Sequence, residues 1–252
     1  MKYVIITGAS KGLGESVARL FLQEKVRVIG ISRTKNVDLE NISQALGVEY
    51  THYPCDLASL EALEDTCDKI KTHVFNKNTE KVYLINNAAT VNPIDVSKRH
   101  SREAIERHVS LNITAPMFTT SRLLHDAEKF STPVVVANIS SGAADRSTYG
   151  WSLYGASKAA INRYTKTVAL EVDELKEPHK VIIFDPSIMD TAMQQTIRQA
   201  SEDQFKEVDT FIGFKDKDAL RHPALVGRVL VDLLLADDRL VNGQYYRIHD
   251  YV

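Results

Sequence analysis

The stretch KYVIITGASKGLGE, residues 2–15, decides the fold. Its first part, YVIIT at 3–7, is an unbroken apolar and β-branched run, as expected of a strand buried on both faces. TGASKGLG at 7–14 follows at once and opens an amphipathic stretch over 15–23 that reads as a helix. A strand turning through glycines directly into a helix offers backbone N–H groups at the helix N-terminus, where phosphate binds. Gly8, Gly12 and Gly14 allow the tight turn and the close approach of a pyrophosphate. The spacing is GxxxGxG rather than the usual dinucleotide GxGxxG, and no GK[ST] follows as a P-loop would require.

Further runs repeat the pattern: VRVIGI (26–31), VYLIN (82–86), VVVANI (134–139) and VIIFD (181–185) alternate with stretches of helical period. That alternation predicts βαβ units around a parallel sheet, with 245–248 as a last edge strand. No low-complexity linker or repeat divides the chain, so residues 1–252 are read as a single domain. The rhythm weakens over 191–221, where amphipathic turns mix with charges; an irregular excursion this late in an α/β chain reads as a substrate-binding lid.

Composition excludes several classes. With 31 basic and 33 acidic residues the net charge is −2, and no Lys/Arg run offers a footprint for nucleic acid or anionic lipid. Cys55 and Cys67 have neither metal-ligand nor CxxC spacing, and no metal is expected. The apolar N-terminal run is too short for a signal peptide or membrane span, so the expected location is the cytoplasm.

The end of the second strand bears on the choice of dinucleotide. NAD-specific sites place a carboxylate there for the ribose hydroxyls, whereas a 2′-phosphate needs a cation. Here Ser32 and Arg33 occupy the position, Lys11 adds a second cation, and no carboxylate appears before Asp38. A guanidinium with a nearby ammonium suits phosphate, so the expected cofactor is NADP(H).

YGWSLYGASKAA, residues 149–160, holds two tyrosines and one lysine. In a helix over 151–174, residues four apart share a face, so Tyr154 sits beside Lys158 while Tyr149 has no cation. An ammonium beside a phenol favours the phenolate, which is the way to bring a group with an ordinary pKa near 10 into acid–base work. Alone, YxxxK is a weak signal. It gains weight from NISSG at 138–142, a strand end whose hydroxyl could hydrogen-bond a carbonyl oxygen while the tyrosine protonates it.

TGASKGLG, NNAA (86–89), SLN (110–112), NISS (138–141) and YGASK (154–158) together resemble the short-chain dehydrogenase/reductase family, over roughly residues 1–195. The resemblance implies a Rossmann-type, doubly wound parallel sheet of about seven strands with helices on both faces. It also implies Tyr154 as general acid/base and Lys158 as the group that lowers its pKa and holds the nicotinamide ribose. Ser141 would orient the substrate carbonyl, the family spacing favouring it over Ser140, which stays an alternative. Asn112 would perturb its helix and support a proton-relay water.

By the same resemblance Gly8, Ser10, Lys11, Leu13 and Gly14 would meet the pyrophosphate, and Ser32 and Arg33 the 2′-phosphate. Asp56 and Leu57 would meet the adenine, Asn87 and Ala88 the adenosine ribose, and Pro186, Met189 and Thr191 the carboxamide. DPSIMDT departs from the family in one respect: Ser187 stands where the glycine of the usual Pro-Gly would be. NNAA likewise replaces the commoner NNAG. Family members commonly pair through the YxxxK helix and the one before it, so a dimer or tetramer is expected.

Within the family, ITGASKGLGE, HVSLNITAPM, NISSGA, GWSLYGASKA, DTAMQQTIR and NGQYYRI resemble the sepiapterin reductase-like branch, and within it the bacterial benzil reductases that form (S)-benzoin. That implies NADPH-dependent reduction of one keto group of an aromatic 1,2-diketone. Tyr149, Trp151, Met189, Met193, Phe205, Phe211 and Phe214 are candidate apolar walls for a phenyl ring. Sepiapterin reductases hold the pterin with a carboxylate near the C-terminus, and Arg247 stands at the matching position here, so pterin reduction is the second reading. A steroid-type or general ketone reductase is a third, and a non-catalytic NADP sensor is disfavoured because Tyr154 and Lys158 are both present.

Overall fold

The structure is a computed structural model that describes residues 1–252 apart from the side chain of Asp237. Seven strands form one sheet: β1 (Lys2–Thr7), β2 (Arg27–Ser32), β3 (Tyr50–Pro54), β4 (Lys81–Asn86), β5 (Val134–Ile139), β6 (Lys180–Asp185) and β7 (Tyr245–Arg247). Their order is β3-β2-β1-β4-β5-β6-β7, and every neighbouring pair is parallel. The order reverses between β1 and β4, the place where a doubly wound sheet leaves a crevice at the carboxyl ends of its strands.

Helices cover both faces: α1 (Gly12–Gln23), α2 (Val37–Leu46), α3 (Leu60–Val74), α4 (Arg102–Val109), α5 (Ala115–Glu128), α6 (Ser152–Glu174), α7 (Ala192–Arg198), α8 (Val208–Asp216) and α9 (Pro223–Leu235). The continuous apolar strands are explained by alternation between two cores. Val4 and Ile6 of β1 pack with α1 and α9 through Val17, Phe21, Leu230 and Leu234. Tyr3 and Ile5 of the same strand face α3, α5 and α6 through Ile70, Leu123 and Val172. Each such aliphatic side chain removed from water contributes roughly 1.5–3 kcal/mol, so neither face tolerates a polar alternate.

Two elements differ from the sequence reading. The strand β3, YTHYP, lacks an apolar run because it lies at one edge of the sheet and none of its residues is fully buried. The 191–221 excursion contains α7 and α8, and it is closed at its base. The Asp190 N–H donates to the Arg221 carbonyl at 3.0 Å and the Arg221 N–H to the Ile188 carbonyl at 3.1 Å. Its apolar side chains join Trp151 and Tyr154 in a third, smaller cluster containing Ile197, Phe205, Val208 and Phe211.

Candidate active site

The carboxyl ends of β1, β4, β5 and β6 open into one cleft of about 2380 Å³, large enough for a dinucleotide together with a drug-sized substrate. The glycine loop forms one end. Gly8 and Gly12 have φ of +72° and +63°, the left-handed region. A Cβ on Gly14 would stand 2.3 Å from the Gly8 carbonyl oxygen, so this turn closes only without a side chain. Asn87 fastens the loop from β4, its Nδ2 donating to the Thr7 and Gly8 carbonyls at 3.0 and 3.3 Å. The Thr7 hydroxyl accepts from the backbone N–H groups of Asn87 and Ala88 at 3.0 and 3.1 Å.

The helix α1 begins after Lys11 with no side-chain cap, whereas α2, α3 and α4 are capped by Asn36, Ser59 and Ser101. Its first N–H groups are therefore available to an anionic ligand. This cradle fits a pyrophosphate. Gly8, Ser10, Lys11, Leu13, Ser32, Arg33, Asp56, Leu57, Asn87 and Ala88 all line it, while Gly14 supports it from below. Lys11 and Arg33 are exposed there. Burial pushes the Asp56 carboxyl up, but the Ala58 N–H, Arg107 and Arg33 outweigh it and hold the group below its ordinary value. Arg107 grips Asp56 through both guanidinium nitrogens at 3.1 Å, a partner that sequence reading did not supply.

At the other end, α6 presents Tyr154 and Lys158, 6% and 5% exposed. Lys158 Nζ donates to the Ile139 carbonyl at 2.8 Å and lies 5.8 Å from the Tyr154 ring centre. Ser141 lies beside the Tyr154 phenol and favours its ionised form. Ser140, by contrast, is turned away and donates to Asn162 Oδ1 at 2.6 Å. Geometry therefore brings Ser141, not Ser140, to the phenol.

The expected lowering of the phenol by Lys158 is not what this arrangement produces. Burial pushes Tyr154 up to about 12, with Ser141 opposing and the Asp185 carboxylate adding to it. Burial also draws Lys158 down to about 8, against the pull of Asp185. Desolvation outweighs the pair's attraction, and Tyr154 holds its proton. Asp185, at the end of β6, accepts from the Ser187 N–H at 2.9 Å and from the Tyr245 hydroxyl at 3.1 Å. Asp185 opens the DPSIMDT stretch, but sequence alone assigned it no role, because its contacts with Tyr245 and the buried pair come from the fold.

Residues 110–114 form a wide π-helical turn between α4 and α5. The Asn112 side chain accepts from the Thr90 N–H at 2.9 Å and donates to the Thr90 carbonyl at 2.8 Å. It also donates to His108 Nε2 at 3.1 Å. Asn112 is thus a clamp behind the cleft wall rather than part of it. Burial lowers the His108 pKa, and its Nδ1–H donates to the Asn92 carbonyl at 2.7 Å.

The remaining wall is aromatic. Trp151 stacks on Phe205 at 4.8 Å and meets Tyr154 and Phe211 edge-on at 5.2 and 5.4 Å. Trp151, Met189, Met193, Phe211 and Phe214 line the cleft, as do Pro186 and Thr191. Two sequence candidates do not. Phe205 is wholly buried behind Trp151, and Tyr149 is 48% exposed, with the Lys206 ammonium 5.9 Å from its ring centre. Gly150, at φ +86°, turns the chain between Tyr149 and Trp151, so the two face different ways. Ser187 adopts φ +56°, a conformation that costs an L-residue roughly 1–2 kcal/mol and explains why glycine is usual there.

Comparison with known proteins identifies the family. The family model for short chain dehydrogenases matches residues 2–202. The chain is 34% identical over 250 residues to the benzil reductase ((S)-benzoin forming) of Bacillus cereus, covering 99% of this chain and all of that one. It is 33% identical over 252 residues to the protein of the same description from Bacillus subtilis, with both chains fully covered. A crystal structure of a short-chain dehydrogenase/reductase from Saccharomyces cerevisiae superposes with a TM-score of 0.81 at 24% identity, covering 98% and 96% of the two chains. The chain belongs to the short-chain dehydrogenase/reductase family and is an oxidoreductase acting on CH–OH and C=O groups.

Proposed function

We propose that this protein is an NADPH-dependent carbonyl reductase that reduces one keto group of an aromatic 1,2-diketone such as benzil to the (S)-hydroxyketone. The observation that carries the proposal is the place of Tyr154. Its phenol lies beside Ser141 and its ring packs edge-on against Trp151 at 5.2 Å, so a proton donor adjoins an aromatic wall. The full-length likeness to two benzil reductases supports the same substrate class.

The nicotinamide cofactor supplies the hydride. Gly8, Ser10, Lys11, Leu13 and Gly14 would hold its pyrophosphate, Ser32 and Arg33 a 2′-phosphate, Asp56 and Leu57 the adenine, and Asn87 and Ala88 the ribose. Pro186, Met189 and Thr191 would hold the carboxamide. Tyr154, protonated across the neutral range by its burial, gives its phenolic proton to the carbonyl oxygen, and Ser141 orients that oxygen by hydrogen bonding. Lys158 supplies positive charge beside the phenol, and Asn112 keeps the Thr90 backbone in place. Trp151, Met193, Phe211 and Phe214 exclude water from the reacting carbonyl, with the 191–221 segment as lid.

Arg247 lies at the cleft rim, 3.8 Å from Asp145, and its positive charge disfavours the guanidine-like edge of a pterin. Among the described residues no helix is long and apolar enough to cross a membrane. We read residues 1–252 as one catalytic domain working in the cytoplasm as a homo-oligomer, with the exposed Leu170 of α6 and Leu175 just beyond its end available to a second copy. The test is NADPH oxidation against benzil, 1-phenyl-1,2-propanedione, sepiapterin and a simple aldehyde. Turnover strongest with the two diketones supports the reading, and turnover of sepiapterin alone rejects it.

A further inference from the structure

Ser187 takes the place of a glycine without escaping the backbone conformation that glycine serves, since its φ is +56°. Something must hold it there, and the structure shows what does. The Ser187 hydroxyl lies 2.9 Å from His249 Nε2, a residue 62 positions further along the chain. The other ring nitrogen, Nδ1, lies 2.9 Å from Arg221 Nη2. A guanidinium can only donate, so Nδ1 is the unprotonated nitrogen and Nε2 carries the hydrogen. His249 therefore donates to the Ser187 oxygen, and its tautomer is fixed by Arg221.

Arg221 is itself sewn to the loop it serves, through its backbone N–H to the Ile188 carbonyl and its carbonyl to the Asp190 N–H. From the other side the Ser187 N–H is tied to Asp185 Oδ1 at 2.9 Å. The neighbouring Ile248 is completely buried, which anchors the turn that presents His249. Two segments distant in sequence, at Arg221 and at Ile248–His249, thus converge on Ser187–Thr191, and Ser187, Arg221 and His249 all line the cleft.

We propose that His249 is a positioning residue for the cofactor: by tethering the Ser187 hydroxyl it holds Ser187–Thr191 in the conformation that receives the nicotinamide end. The proposal rests on the NADPH reading above. It gives the tail of the chain a role in cofactor affinity, and it explains how a serine is tolerated at a glycine position. With glycine at 187 the conformation needs no tether, so the contribution of His249 should disappear.

The experiment is a double-mutant cycle on the full chain with two readouts: NADPH titration by nucleotide fluorescence, and hydrogen exchange of residues 186–191 in protein without nucleotide. His249→Ala is expected to speed exchange in that loop and to weaken NADPH binding about tenfold, or about 1.4 kcal/mol, with the unfolding midpoint unchanged. His249→Gln, whose amide can donate to Ser187 and accept from Arg221, should recover binding to within about threefold of wild type. In a Ser187→Gly background, His249→Ala should cost less than about twofold. Unchanged NADPH affinity in His249→Ala, or an equal penalty with glycine at 187, overturns the proposal. Wild-type protein that binds no nicotinamide nucleotide would reject the cofactor reading instead, and unaltered loop exchange in His249→Ala would then still overturn the tether.

Discussion

Replacing Lys158 by methionine should make the nucleotide-free protein more stable while removing its activity. Lys158 is 5% exposed, and burial draws its ammonium from 10.5 down to about 8. At about 1.36 kcal/mol per pH unit, keeping that charge in the native state costs roughly 3 kcal/mol at neutral pH. The unfolded chain holds the proton up to about 10.5 and the folded chain only to about 8. The wild type therefore gains stability as pH rises between those values, and the full cost is present below 8. Methionine fills similar space without the charge, and loses the bond from Nζ to the Ile139 carbonyl, worth about 1 kcal/mol. The net gain is about 2 kcal/mol at pH 7, or about 4–8 °C in the unfolding midpoint for a chain of this size. Near pH 10 most of the wild-type cost has gone, and the advantage should fall to about zero. Calorimetry of both proteins at the two pH values measures it. A Lys158→Met protein no more stable than wild type at pH 7, or an advantage that persists undiminished at pH 10, would refute the reasoning.

Three further outcomes follow from the cleft. Arg33→Asp should weaken NADPH binding by about ten- to a hundredfold while changing NADH little, because a charge-assisted bond to phosphate is worth about 1.5–3 kcal/mol; an unaltered ratio of the two affinities counts against Arg33 as the phosphate clamp. Gly14→Ala places a methyl 2.3 Å from the Gly8 carbonyl oxygen, so the cradle must shift and nucleotide affinity should fall at least about tenfold by titration. Phe214→Ala removes a ring 5.5 Å from Phe211 at the cleft wall, and should raise KM for benzil about three- to tenfold but leave that for a small aldehyde nearly unmoved.

What could be read from the chain depended on how local each cause is. β1, β4, β5 and β6 were legible because burial on both faces writes an unbroken apolar run. At the sheet edge β3 has no such constraint and carries no apolar run. Tyr154 beside Lys158 follows from helical spacing alone, and the serine thirteen positions earlier does meet the phenol. The electrostatic balance was not legible, because desolvation depends on what the sheet and α6 enclose. Spacing suggested a depressed phenol, whereas burial raises it. Tyr149 was misplaced for a related reason: adjacency to Trp151 says nothing about the turn at Gly150. Asp185, Arg107 and the Ser187–His249–Arg221 chain depend on contacts between distant segments, and no local pattern announces them.

The proposed function stands on Tyr154 as the donor of the proton to the reduced carbonyl. Steady-state NADPH consumption with benzil, measured for wild type and Tyr154→Phe with nucleotide affinity determined alongside, tests it most directly. The expected outcome is a loss of about 10²- to 10⁴-fold in kcat, the usual worth of a positioned general acid, with NADPH affinity retained. A Tyr154→Phe protein that reduces benzil at the wild-type rate would contradict it.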